Sequence, residues 1–289
     1  MICRERVLAE KKDSDRRPGR LQGTLYRASV APVDLNSWWT GRILGARMKV
    51  IVIIPAAGLG TRMTSAPPAK SKVPVPSKQF TELKGTPILV HTLRKFAACD
   101  EVSEIYVALR KNEIDGFRER LEKQEKELLK KEIRLVEGGE HRQHSVANAL
   151  AAVSAAQDDI VLVHDAVRPF ITPEIIRAVI REVEKRGAAI AGMPAVDTVK
   201  QVERTAEGAV ITATVPRERV VMAQTPQGFR YQVIKKAFDD AMADGFIGTD
   251  EASLVERAGN EVAVVMGSPR NIKITTPADM ELAEFYLKK

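Results

Sequence analysis

From residue 50 onwards, short β-branched runs alternate with amphipathic stretches, the pattern of βαβ units wound into a mostly parallel sheet. The first run, Val50-Ile51-Val52-Ile53-Ile54, has no polar interruption and reads as a strand buried on both faces. Further strands are expected at 105–109, 133–136, 160–163, 188–192 and 262–266, with a short extended piece at 271–274. Helices are expected at 87–98, 118–131, 145–156, 231–243 and from about 277, and Thr172 with Pro173 supplies an N-cap and first-turn proline for one running to 185. Acidic and basic residues interleave at i, i+3 and i+4 across 118–131, so that helix should present a solvated face. The rhythm breaks at 197–221, where Val, Ile and Thr alternate with polar residues around Glu207-Gly208 and predict a β-hairpin standing off the sheet. Such a hairpin needs a cover, and a second subunit is the economical one.

The first strand empties into Pro55-Ala56-Ala57-Gly58-Leu59-Gly60-Thr61-Arg62-Met63. Small residues and two glycines let the backbone approach a ligand with its N–H groups aimed at anionic oxygens, and Arg62 adds a permanent cation. The alternative is a turn that only joins a strand to the next element. A dinucleotide fingerprint is disfavoured because the third glycine of G-x-G-x-x-G is missing, and a Walker loop because Gly-Thr-Arg stands where Gly-Lys-Ser/Thr is required. In doubly wound sheets ligands lie beyond the carboxyl ends of the strands. Three more segments fall there: Gly138-Gly139-Glu140-His141-Arg142-Gln143-His144-Ser145, Asp165-Ala166-Val167-Arg168-Pro169, and Asn271-Ile272-Lys273-Ile274-Thr275. Their cations and flexible backbone point to a polyanionic substrate. His141 and His144 lack a third ligand at metal spacing, which argues against zinc, and His91 and His164 read as packing or hydrogen-bonding residues.

Composition narrows the class. The chain's 289 residues, 44% hydrophobic, suffice for one sizeable core, and no run reaches the roughly 18 apolar residues of a membrane span. Cys3 and Cys99 are the only cysteines, so neither a disulfide framework nor a cysteine zinc site is expected, and the cytoplasm fits best. The net charge of +7 is uneven: residues 1–47 hold ten Lys or Arg against five Asp or Glu, +5, leaving +2 for the other 242. A nucleic-acid-binding face is therefore not demanded. Residues 1–47 read as a poorly ordered basic extension, with Met48-Lys49 looking like a natural start for a domain spanning 48–289.

The ordered motifs resemble the 2-C-methyl-D-erythritol 4-phosphate cytidylyltransferase family of the non-mevalonate isoprenoid pathway. The resemblance is carried by Pro55 to Met63, Lys78-Gln79-Phe80, Gly138-Gly139-Glu140 with Arg142 and Ser145, and Val163 to Pro169. It continues through Asp197-Thr198, Thr225-Pro226-Gln227, Thr249-Asp250-Glu251-Ala252-Ser253 and Asn271-Ile272-Lys273. It implies a Rossmann-like α/β nucleotidyltransferase fold with a protruding β-hairpin arm, a homodimer joined through that arm, and Mg²⁺-dependent reaction of CTP with a sugar-alcohol phosphate. By resemblance, Arg62 and Lys78 stabilise the transition state at the α-phosphate, while Arg217 and Lys273 hold the attacking phosphate. Ala56, Ala57, Gly58, Gly60, Gly139, Glu140, Ser145, Asp165 and Ala166 are expected at CTP, and Arg168, Thr198, Thr225 and Thr249 at the acceptor, with Asp165 also at the metal.

One departure concerns the lysine. The family usually has Pro directly before it and only a few residues between it and the arginine, whereas here Ser77 precedes Lys78 and residues 63–77 intervene. Doubling a loop costs only about 0.6 kcal/mol in closure entropy, so Lys78 can still reach; Lys70 and Lys72 are the alternatives. Three functions stay open: the methylerythritol enzyme, a ribitol-5-phosphate or other sugar-phosphate cytidylyltransferase, and a catalytically silent nucleotide-binding homologue whose insertion displaced the lysine.

Overall fold

A computed structural model describes residues 48–58 and 77–288. The basic extension, Gly60, Arg62, Lys70, Lys72 and all of the 63–77 insertion except Ser77 lie outside the described residues.

Strand β1 (Val50–Pro55) is an interior strand of a seven-stranded sheet, next to its central strand. Its even positions Val50, Val52 and Ile54 enter one core and its odd positions Ile51 and Ile53 the other, all at most 4% exposed. Burying each such side chain contributes about 1.5–3 kcal/mol, which is why the uninterrupted β-branched run sits between two helical layers rather than at an edge. After β1 come a short hairpin of β2 (Glu82–Leu83) and β3 (Thr86–Pro87), helix α1 (Ile88–Ala97), β4 (Glu104–Leu109), α2 (Lys111–Gln124), β5 (Glu132–Glu137), α3 (Arg142–Ala152) and β6 (Ile160–Val163). The chain continues through α4 (Pro173–Arg186), β7 (Ala188–Pro194), β8 (Val199–Thr205), β9 (Gly208–Val215), β10 (Val221–Arg230), α5 (Tyr231–Ala243), α6 (Glu251–Arg257), β11 (Ala263–Met266) and α7 (Pro277–Tyr286). The strand order is β11-β7-β10-β6-β1-β4-β5. Only β10 runs antiparallel to its neighbours, with Phe229 opposite Val161 of β6 and Ala188 of β7. Helices α1, α2 and α4 cover one face, and α3, α5 and α6 the other.

The mostly parallel sheet agrees with the pattern of the sequence, and three local expectations need correction. The charged helix spans Lys111–Gln124 rather than 118–131: Phe117 and Leu121, four apart, face the core, and the early turn is obscured in sequence by Asp115 and Gly116. It ends where buried Glu125 accepts the Arg94 guanidinium at 2.8 Å. Helix α3 starts at Arg142, three residues earlier than expected. Strand β10 was not foreseen because Pro226 and Gly228 interrupt its pattern, and its pairing with β7 is irregular between Ala223 and Gln227. Residues 271–274 form no ladder; Ile274 donates its backbone N–H to Val167 O at 3.0 Å. The predicted hairpin is present: among the described residues β8 and β9 pair only with each other, and Val202, Val210 and Ile211 on them are 47%, 58% and 60% exposed.

Candidate active site

The carboxyl ends of β1, β5 and β6 open onto a cavity of ≈ 710 Å³. Ala56, Ala57 and Gly58 line one side, and Gly139, Glu140, His141, Arg142 and Ser145 another. That second wall is the lead-in to α3 and its first turn, and the N–H groups and positive dipole end of such a helix start suit an anion. Ser145 shapes it: its Oγ accepts from Gly139 N–H at 3.1 Å and lies within hydrogen-bonding distance of the Gly139 and His141 carbonyls. No side chain fits at the preceding glycines, since a Cβ on Gly138 would lie 2.4 Å from the Ala57 Cβ and one on Gly139 2.4 Å from the His144 Cβ.

Asp165, just past β6, is the electrostatic centre. Its Oδ1 accepts from Arg142 Nε at 3.3 Å, and its Oδ2 from Arg168 Nε and from Lys273 Nζ, both at 3.0 Å. Burial alone would raise its pKa, but Arg142, Lys273 and Arg168 hold it far below the usual carboxylate range. Arg142 also donates to buried Glu251 at the start of α6. Burial opposes its charge, yet Glu251 and Asp165 raise its pKa above the ordinary arginine value. Three cations and two carboxylates from four separate segments are thus fixed in one cluster.

A second cavity of ≈ 520 Å³ shares Arg142, Asp165 and Lys273 with the first and adds Arg168, Gln224, Thr225 and Thr249. Two adjoining hollows therefore have a common cationic wall. Lys273 is held there by neighbours on both sides: the buried Asn271 side chain donates to Thr225 O at 2.8 Å, its carbonyl accepts from Arg168 Nη1 at 2.7 Å, and Ile274 pairs with Val167. Lys78 lines the first cavity.

A further layer lies beneath. His164 is fully buried, with its Nε2 3.1 Å from Arg168 O and its Nδ1 3.1 Å from Thr225 Oγ1. The Arg168 carbonyl can only accept, so Nε2 carries the proton of the neutral imidazole and Nδ1 accepts from the Thr225 hydroxyl, whose oxygen in turn accepts from Asp165 N–H at 3.1 Å. Burial lowers the His164 pKa to about 4. The ring joins both ends of the Asp165–Arg168 turn to β10.

A sequence profile described as IspD, 2-C-methyl-D-erythritol 4-phosphate cytidylyltransferase, matches residues 50–289. The chain belongs to this family. Within it, the chain is 60% identical to a protein of that name from Acidobacterium capsulatum over 84% of this chain and 98% of that protein. It is 52% identical to one from Solibacter usitatus, over 84% and 97% respectively. Crystal structures of family members from Francisella tularensis (TM-score 0.66, 34% identity, covering 82% of this chain and 99% of that one) and Thermus thermophilus (0.64, 32%, 84% and 100%) share the Rossmann-like α/β fold.

Of the residues the sequence singled out, Ala56, Ala57, Gly58, Lys78, Gly139, Glu140, Ser145, Asp165, Ala166 and Lys273 meet at the first cavity, and Arg168, Thr225 and Thr249 at the second. Thr225 lines that hollow while its hydroxyl is engaged by His164 and Asp165, so its side chain organises the wall from within. Thr198 and Arg217 line neither cavity; both are exposed at the base of the arm, where Arg217 Nη1 donates to Val196 O at 3.0 Å. Arg142, Glu251 and His164 were given no site role from sequence, because their roles arise from pairing across the fold. Among the described residues no helix is long and apolar enough to cross a membrane.

Proposed function

We propose that this chain transfers the cytidylyl group of CTP to 2-C-methyl-D-erythritol 4-phosphate and releases pyrophosphate. The observation that carries this reading, beside family membership, is the cluster of Arg142, Arg168 and Lys273 around Asp165 between two adjoining cavities. One hollow suits the nucleotide and the other the acceptor, whose phosphate oxygen attacks the α-phosphorus in line while pyrophosphate leaves. The nucleophile is already anionic, so no general base is required. The barrier is bringing anions together and stabilising charge on a crowded phosphorus, which fixed cations supply. Arg62 and Lys78 serve the α-phosphate and Lys273 the incoming phosphate. Asp165 keeps three cations at set positions before substrate arrives.

The residues fit a Mg²⁺ ion carried mainly by the nucleotide. Among the described residues no group of three or more His, Cys, Asp or Glu could hold a metal, while Asp165 is the carboxylate common to both cavities. One carboxylate plus phosphate oxygens and water is how Mg²⁺ is commonly held. When bound, the ion would neutralise phosphate charge.

The exposed arm supports a homodimer, because an isolated two-stranded hairpin with bare Val and Ile is marginal in water. Thr198 and Arg217 then act on the acceptor of a second copy. Mixing Arg217→Ala and Lys78→Ala chains tests this: a heterodimer carries one intact site, so random exchange should restore about a quarter of wild-type turnover. No recovery after verified exchange refutes the shared site. Pyrophosphate release with methylerythritol phosphate against ribitol 5-phosphate tests the acceptor; equal or faster turnover of ribitol phosphate overturns that assignment. The position of Lys78 at the cavity counts against the silent-homologue reading.

A further inference from the structure

Lys78 begins a single three-residue turn, Lys78–Phe80, which by itself is too short to fix a side chain. Both neighbours of Lys78 are tied down. The buried Gln79 side chain donates to Ala56 O at 2.5 Å, directly onto the turn that follows β1. Ser77, also buried, donates its hydroxyl to Glu113 Oε1 at 2.5 Å. Glu113 stands in the first turn of α2; its other oxygen, Oε2, lies 3.4 Å from Arg110 N, and Arg110 Nε donates to Ala57 O at 3.0 Å. Phe80 packs on Phe117 of the same helix, with ring centroids 5.7 Å apart.

Two chains of contacts, one on each side of Lys78, thus end on the consecutive carbonyls of Ala56 and Ala57. The Gln79 link is direct. The Ser77 link runs through Glu113 and Arg110, and it is the one that crosses from the lysine's turn to α2. We propose that Glu113 is a positioning residue for Lys78, setting the lysine's turn against the nucleotide-binding turn through Ser77 on one side and Arg110 on the other. This rests on the reading above that Lys78 meets the α-phosphate of CTP. Glu113 touches no substrate. Its effect is to hold the ammonium group where the transition state needs it, and a displacement of about 1 Å in such a group costs up to about a hundredfold in rate.

The test is a mutant cycle on the full-length chain, following nucleotide product over long incubations. Glu113→Ala should lower kcat about ten- to a hundredfold with a smaller change in the KM for CTP. Ser77→Ala should do the same, and the double variant no more than either alone. Glu113→Gln, whose amide oxygen still accepts the Ser77 hydroxyl but whose NH2 cannot accept from Arg110 N–H, should recover part of the loss. In a Lys78→Ala background Glu113→Ala should have no further effect on kcat, whereas a general loss of structure would lower it equally in both backgrounds. An equal loss in both, or full activity of Glu113→Ala, overturns the proposal while leaving Lys78 in its role. Unchanged turnover of Lys78→Ala removes the lysine from the site and the positioning role with it. If Glu113→Ala fails to fold, Ser77→Ala in the two Lys78 backgrounds decides by the same criterion.

Discussion

Acidification should strain the layer beneath the site before it touches the carboxylates. His164 is fully buried between Arg168 O and Thr225 Oγ1, with the Phe96 ring at 4.8 Å, and its pKa falls from 6.5 to about 4. A base whose folded pKa is lowered must take up a proton more readily when unfolded, so its contribution to stability is intact above pH 6.5 and is lost as the pH falls towards 4. Between pH 7.5 and pH 5.0 these two values give a loss of about 2 kcal/mol. His164→Gln provides the control, since an amide can accept from Thr225 and donate to Arg168 without titrating. Urea unfolding of both proteins at the two pH values, at one fixed protein concentration, isolates the residue: the wild type should lose about 2 kcal/mol more than the variant. The double difference removes any constant cost of the substitution. Parallel stability–pH curves for the two proteins would show that His164 is not held neutral by its surroundings.

Other substitutions probe the upper layer. Asp165→Asn leaves Arg142, Arg168 and Lys273 facing one another without their central anion, and steady-state kinetics should record a fall in kcat/KM of at least a hundredfold, about 3 kcal/mol; a loss under threefold would refute its organising role. Gly139→Ala puts a methyl group 2.4 Å from the His144 Cβ and 3.1 Å from its backbone, so isothermal titration should find CTP affinity reduced at least tenfold. Lys273→Ala should weaken the acceptor more than the nucleotide, read as a rise in acceptor KM with CTP binding changed by less than about threefold.

The parallel strands and the hairpin were legible because each rests on a local signal: β-branched runs buried on two faces, or alternation around Glu207-Gly208. The turn after β1 was legible for the same reason, since small residues directly after a buried strand are a local signal, and Ala56, Ala57 and Gly58 do line the cavity. Strand β10 was not, because Pro226 and Gly228 are poor strand residues and only the β6 and β7 neighbours impose the extended path. His164 was read correctly as a packing and hydrogen-bonding residue, whereas Glu251 was opaque for a different reason. A glutamate after an N-capping Asp250 reads as a helix start, and only the folded chain brings Arg142, distant in sequence, against it. Thr198 and Arg217 line neither cavity of the chain, so the part expected of them at the acceptor rests on the proposed homodimer.

Because β10 runs against β6 and β7, the chain leaving Pro194 and re-entering at Val221 does both on the rim that carries the cavities. The arm is therefore launched from the reactive side of the sheet, never from its far edge. In the proposed homodimer, assembly through such arms would also be the act of delivering reactive groups. Separation by dilution should then silence turnover while each sheet is still folded, so catalysis reports the encounter of subunits more sensitively than any probe of secondary structure.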